Sequence, residues 1–233
     1  LTTGFVTGNM RNTQDAADPN FYATCYEALP PLLVAEGKRL PKALWEPACG
    51  NGALVVPLRN RGYEVTATDL NEYGCPVSIT GLDFLSSGAQ SVAAQLSVDH
   101  GHYGIITNPP FNRAEEFVEI GVSLAPYVAV LCRLAFLESE GRMNWFSRVG
   151  LSRVHVIGER LPMMHKYGHE GPKLDKGAMA FCWFIFERSK RVKHQVPLRW
   201  VSWKKSVRRF PQRPEDIPPT AKEVLPLFRA LSA

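Results

Sequence analysis

The chain lacks any apolar run approaching the ~20 residues that a membrane span requires. Leu1 to Gly8 also lack the basic-then-apolar pattern of a secretory leader. Its five cysteines, Cys25, Cys49, Cys75, Cys132 and Cys182, are odd in number and widely spaced, with no Cys-x-x-Cys pair. That argues against both a disulfide framework and a zinc site. A reduced, cytoplasmic, metal-free protein is the expectation. Internal repeats and low-complexity tracts are absent too, and a 45% hydrophobic share over 233 residues suits one well-filled domain.

Acidic residues are missing from one long stretch. Ten Lys and Arg occur from Arg188 to Arg213 with no Asp or Glu among them. These ten exceed the net charge of +5, so the remainder is acidic by five. A basic, Trp-containing segment on a near-neutral body is an electrostatic footprint for a polyanion. Arg199, Lys204, Lys205, Arg208 and Arg209 are the candidate phosphate contacts, the competing reading being a solvated run that aids solubility. Trp200 and Trp203 either stack on bases or pack the segment onto the body.

Along the chain, residues 1–19 are small and polar and read as a flexible arm. Phe21 to Glu36 carries apolar residues at helical spacing, interrupted by Pro30-Pro31, which predicts a helix from about Pro31. Strands are then expected at 43–46, 63–68, 103–107 and 127–131, alternating with helices at 53–61, 86–96, 113–124 and 140–149. Such alternation means a parallel sheet with helices on both faces. Val154 to Ile157 and Ala180 to Phe186 are two further strands joined by a turn-rich stretch, Pro162 to Pro172, and read as a closing antiparallel hairpin. The boundaries are an arm at 1–19, a body at 20–187 and a basic extension at 188–233.

Four short motifs carry the chemistry. In Glu46-Pro47-Ala48-Cys49-Gly50-Asn51-Gly52, two glycines after a strand let the backbone approach a ligand at the sheet's carboxyl edge. Val55 stands where a dinucleotide fingerprint has its third glycine, and Glu46 suits a cationic ligand better than a pyrophosphate. Asp69 ends the second strand nineteen residues after Gly50, where a carboxylate can accept from ribose hydroxyls. Asp83-Phe84 offers an acceptor beside an aromatic surface. Finally, Ile105-Ile106-Thr107 runs into Asn108-Pro109-Pro110-Phe111. Two prolines fix the backbone and exclude Asn108 from the helical region, giving a stiff corner with an amide and a ring on one side. It is either a strand-closing turn or a clamp for a flat, amine-bearing ring. Cys49 reads as a small apolar filler. His165 and His169, with Asp175 beyond, lie in a Gly/Pro loop and not on a helix, which disfavours a metal site. Arg133 and Phe136, just past the fifth strand, are candidates for the wall of a base pocket or for core packing.

Taken in order, Glu46-Pro47-x-x-Gly50-x-Gly52, Asp69, Asp83-Phe84 and Asn108-Pro109-Pro110-Phe111 resemble the motifs of Rossmann-like S-adenosylmethionine-dependent methyltransferases. The last motif is similar to the form in enzymes that methylate the exocyclic amine of adenine in DNA, and a match to small phage- and prophage-type members extends loosely through Leu134-Ala135-Phe136-Leu137-Glu138 and Ala180-Phe181-Cys182-Trp183-Phe184. The resemblance covers about residues 20–187. It implies an α/β fold with a mostly parallel seven-stranded sheet, a C-terminal antiparallel hairpin and helices on both faces. It also implies S-adenosylmethionine as cofactor, S-adenosylhomocysteine as product and DNA as substrate. Tyr22, Thr24, Glu46, Pro47, Ala48, Gly50, Gly52, Asp69, Leu70, Asp83, Phe84 and Asn108 would hold the cofactor. Asn108 and the Pro109 carbonyl would accept from the target amine, beside Pro110, and Phe111 would stack on the base. The chain departs from the pattern in having Ala23 and Cys25 where such enzymes place a proline beside the threonine. About 46 residues follow Glu187, fewer than a large recognition domain needs. Sequence choice is therefore expected from the 162–172 loop, the basic extension or a second subunit, as in a homodimer. Alternatives are an RNA adenine or protein glutamine methyltransferase, or an inactive cofactor-fold module that binds nucleic acid.

Overall fold

The structure, a computed structural model, describes residues 23–163, 179–188 and 195–217. Tyr22, the 1–19 arm, His165, His169 and Asp175 lie outside them. Eight strands form one sheet: β1 Ala43–Glu46, β2 Glu64–Asp69, β3 Ser78–Thr80, β4 Tyr103–Thr107, β5 Tyr127–Arg133, β6 Leu151–Ile157, β7 Phe181–Glu187 and β8 Leu198–Val201. Their order across the sheet is β3-β2-β1-β4-β5-β7-β6-β8, with β7 alone antiparallel to its neighbours. β1 and β4 are buried along their whole length because helices cover both faces, as a central parallel strand requires. Six helices flank them: α1 Leu29–Glu36, α2 Val55–Arg59, α3 Gly88–His100, α4 Ala114–Leu124, α5 Glu140–Val149 and α6 Trp203–Arg209. The core on one face contains residues of α1 and α2, with Trp203 and Phe210 packed against it. The core on the other face belongs to α3, α4 and α5.

Three expectations are corrected. Among the described residues the sheet has eight strands, not seven. β3 is a three-residue edge strand, and β8 arises inside the basic run, pairing in parallel with β6 through Val154↔Leu198 to Ile157↔Val201. The antiparallel pair β6–β7 is present, but β7 lies between β5 and β6, so the pair does not close the sheet. Pro30 and Pro31 do not delay α1. They occupy its first turn, where backbone N–H groups have no intrahelical acceptor and a fixed φ favours the helix.

A buried charge cluster locks α1 to the sheet. The Glu36 side chain is inaccessible to solvent and accepts from Arg153 Nε and Nη2, both at 2.9 Å. His155 Nε2 lies 2.7 Å from Glu36 Oε1, and Arg153 Nη1 reaches Glu187 at 2.7 Å. Burial alone would raise the Glu36 pKa, but the bonds from His155 and Arg153 outweigh it and hold the carboxyl at about 2. A depressed carboxylate contributes stability above its unfolded value, here 4.5, and loses it as pH falls towards 2. Urea unfolding should therefore show an acid-side loss of up to about 3 kcal/mol that is absent in Glu36→Gln. That variant should itself be less stable at neutral pH, by less than the roughly 3–5 kcal/mol of a wholly broken buried pair, since Arg153 keeps Glu187.

Candidate active site at the carboxyl edge of the sheet

A cavity of about 230 Å³ opens where β1, β2 and β4 end. Three of the four motifs are loops at these strand ends, and Asp83-Phe84 follows β3. Gly50 and Gly52 both adopt positive φ, 55° and 87°, which only glycine adopts without strain. Their reasons differ. Gly50 lines the cavity, with Pro47 and Ala48 beside it, whereas Gly52 lies behind the loop. A Cβ at Gly52 would come within 3.0 Å of Cys75 Sγ, so this glycine serves packing and not ligand approach.

Asp69 is 6% exposed and ties two loops together. Its Oδ2 accepts from the Gly50 N–H at 2.8 Å and its Oδ1 from the Asn71 N–H at 2.9 Å. The carboxylate thus sets the loop's shape while forming part of the cavity wall. Glu46 behaves otherwise. It is buried beneath the loop, accepts from the Ala48 N–H at 3.2 Å and does not line the cavity. Burial pushes its carboxyl well above the usual range, against the opposing bond from the Ala48 N–H, and its Oε2 has no partner. Asp83 is exposed at the cavity rim, with Oδ1 accepting from the Leu85 N–H at 2.9 Å. Phe84 is buried in the floor, edge-on to Trp45 at 5.1 Å and tilted against Phe117 at 4.9 Å. Leu70 is half exposed at the wall. The Cys49 thiol is pushed up by its hydrogen bond with Cys75 and by burial, as suits an inert filler.

At the far wall the Asn108-Pro109-Pro110-Phe111 corner follows β4. Asn108 Nδ2 donates to Thr24 Oγ1 at 3.0 Å across 84 positions of sequence. With the amide nitrogen so engaged, Oδ1 is the end left over, and it is buried with no hydrogen-bond partner. Thr24 is therefore the group that turns the amide, despite Ala23 and Cys25 on either side. Phe111 also lines the cavity, but one side of its ring is covered: the Arg133 guanidinium lies 4.3 Å from the ring centroid. Phe181 lies tilted against the same ring, with centroids 6.1 Å apart. Phe136 is a core residue, edge-on to Trp145, Phe146 and Phe184. Asn51, Asn71, Asn112 and Arg113 also line the cavity and went unread. Their signal was adjacency, since each is a polar residue within two positions of a motif residue.

The basic residues are displayed by ordered structure. Lys204, Lys205, Arg208 and Arg209 are exposed on α6 while Ser206 faces inward. Ser202 caps that helix by accepting from the Lys205 N–H. Trp203 packs and donates to the Arg160 carbonyl at 3.0 Å, whereas Trp200 is 74% exposed on β8 beside Arg199. The following segment is anchored by Arg61, which bonds the Tyr26 hydroxyl, the Pro211 carbonyl and a fully buried Asp216 at 2.8 Å. Among the described residues no group of three His, Cys, Asp or Glu is placed to hold a metal ion. No described helix is long and apolar enough to cross a membrane.

No protein-family model matches the chain, and no curated protein matches it. Among solved structures, the chain is similar to the methyltransferase subunit of a type I restriction-modification system from Streptococcus thermophilus. The two share 10% identity and a TM-score of 0.51 over 91% of this chain and 53% of that one. Magnesium protoporphyrin IX methyltransferase from Synechocystis, solved with bound SAH, is 16% identical with a TM-score of 0.44, over 70% of this chain and 81% of that one. The chain thus spans about half the length of the restriction-modification subunit. At 10% identity that likeness establishes the architecture: an α/β, Rossmann-like methyltransferase fold.

Proposed function

We propose that the chain transfers a methyl group from S-adenosylmethionine to the exocyclic amine of adenine in DNA. The observation that carries this reading is Asn108, a residue of the cavity wall whose Oδ1 is buried without a hydrogen-bond partner. Buried polar atoms are almost always paired, so an orphan held in place by Thr24 calls for a ligand donor. An amine N–H is such a donor. The Pro109 carbonyl is the second acceptor at the same corner, as the family resemblance implies. Two acceptors draw the amine lone pair out of the ring's conjugation, and their hold strengthens as the nitrogen gains positive charge, which favours the transition state.

The cavity's residues fit the cofactor. Gly50 permits close approach of its backbone, Asp69 places a carboxylate at the end of β2 for ribose hydroxyls, and Phe84 closes the floor. Bound there, S-adenosylmethionine supplies an electrophilic methyl on a sulfonium. Glu46 supports this site from below by fixing the Ala48 N–H and does not touch the ligand. Phe111, at the cavity wall, would stack on the base, a contact worth ~1–3 kcal/mol. A base within a duplex cannot reach this corner, so the nucleotide is extruded. The exposed cations of α6 with Arg199 favour a nucleic acid over a protein glutamine as acceptor. The orphan acceptor counts against an inactive binding module.

The reading is tested by incubating the protein with labelled cofactor, separating DNA, RNA and protein, and digesting the labelled pool to find the modified base. Asn108→Ala is expected to lower kcat by at least about 100-fold. S-adenosylhomocysteine affinity, measured by calorimetry, should stay within a few-fold of wild type, and full activity in the variant would refute the assigned role. Because β8 and α6 are packed on the body, the extension is better probed by charge than by deletion. Replacing Lys204, Lys205, Arg208 and Arg209 with Gln should reduce the slope of log K against log salt for duplex DNA by about 0.9 for each phosphate no longer neutralised. An unchanged slope would show that α6 is merely a solvated face.

A further inference from the structure

A second cavity, about 600 Å³, lies beside the corner at the end of β5 and the start of β7. Its walls are mainly apolar, among them Leu134, Leu137 and Met179, and its charged residues are Arg133 and Glu138. Arg133 ends β5, the strand paired with β4, so it stands one strand away from Asn108. Its guanidinium rests on Phe111, and its Nε is buried with no hydrogen-bond partner. Among the described residues Arg133 has neither a hydrogen bond nor an ion pair. Glu138, in the same cavity, is exposed and does not pair with it.

Other arginines of comparable burial are neutralised. Arg61 pairs with Asp216, and Arg153 with Glu36 and Glu187. Arg142 makes the closest comparison: it too lies over a phenylalanine, Phe136 at 4.7 Å, yet it also holds Glu115 at 2.6 Å. Arg133 has the ring without the carboxylate. A partly desolvated cation without a counter-charge is costly, and the cost is recovered when an anion arrives.

We infer that Arg133 is a phosphate ligand, and that the second cavity takes the phosphodiester adjoining the nucleotide held at the corner. This rests on the nucleic-acid methyltransferase reading and deepens it. An extruded nucleotide carries its own phosphate with it, so a base at Asn108 brings an anion near the same strand ends. The planar guanidinium fork suits phosphate oxygens, and stacking on Phe111 holds the fork flat before the substrate enters. One residue would thus couple the ring that receives the base to the charge that receives its backbone.

The test measures binding of a thymine tract containing one adenine, with S-adenosylhomocysteine present, by fluorescence anisotropy. A series of oligonucleotides carries a single uncharged methylphosphonate at each successive position. Wild type is expected to lose about tenfold at one position next to the adenine. Arg133→Gln should lose nothing further there, and its salt slope should fall by about one. Arg133→Lys, which keeps the charge, should keep the positional penalty. S-adenosylhomocysteine affinity reports whether each variant is folded, because Arg133 does not line that cavity. The inference is overturned if Arg133→Gln keeps the wild-type methylphosphonate profile and slope. It is equally overturned if affinity falls uniformly with the slope unchanged, which marks a packing role through Phe111. If wild type binds no DNA or RNA oligonucleotide at any salt, the nucleic-acid reading falls along with the inference.

Discussion

Glu36 is a carboxylate that no water reaches, and the placement of the candidate site depends on how it is compensated. Arg153 and His155 come from β6, and Glu187, which shares Arg153, from β7. Replacing the carboxylate's hydration takes several donors in fixed positions, so α1 sits on the sheet in one register. A second buried bond fixes the other end of the same segment, where Trp183 Nε1 donates to the Ala28 carbonyl at 2.7 Å. Thr24 stands four residues before Ala28. The chain thus arrives at β4 with its hydroxyl already positioned, and the Asn108 amide turns to meet it.

Most of the framework was legible because it rests on local pattern. Val65-Thr66-Ala67-Thr68-Asp69 and Gly104-Ile105-Ile106-Thr107 are apolar or β-branched runs stopped by a turn residue, and both are strands within a residue of expectation. β3 and β8 were missed for one shared reason. Edge strands bury little, so Ser78-Ile79-Thr80 and Leu198-Arg199-Trp200-Val201 carry no continuous apolar signal, and the arginine that hid β8 is what an exposed edge tolerates. The site was legible as residue types and illegible as roles. Glu46 and Asp69 both read as carboxylates at strand ends. Only the loop's fold sends the first beneath the backbone and the second to the wall of the cavity. Thr24 and Asn108 touch across 84 positions, and no local pattern reports such a contact.

The basic extension shows the same division between composition and position. A run of ten cations without an acid reads as an extension for a polyanion appended to the body, yet its middle adds a strand to the sheet and its helix packs on α1. Asp216, just beyond the run, supplies the missing negative charge. It is buried against Arg61, whose hydrogen bond, with those from Arg213 and Asn60, lowers its pKa against the opposing pull of burial. The anchoring acid pairs with Arg61 of the body and takes no cation from the run, which leaves Lys204, Lys205, Arg208 and Arg209 on a fixed helical face. Rigid display matters for a polyanion because charges already held at a spacing lose less side-chain freedom on binding than charges on a loose chain.

The distinction between a strand-closing turn and a clamp comes down to what the corner leaves unpaired. A turn made only for stability would consume both ends of the Asn108 amide, since a buried acceptor without a donor costs about 1–3 kcal/mol. Here Thr24 takes the nitrogen and nothing among the described residues takes the oxygen. One strand over, Arg133 repeats the pattern with opposite sign, a cation seated on Phe111 and given no carboxylate. Two other buried carboxylates are compensated, Glu36 by Arg153 and His155, and Asp216 by Arg61 and Asn60, while Glu46 Oε2, beneath the cavity loop, has no partner either. The unsatisfied acceptor stands three positions before Phe111 and the unsatisfied cation lies on that ring, an arrangement that fits a substrate presenting an amine, a flat ring and an anion together.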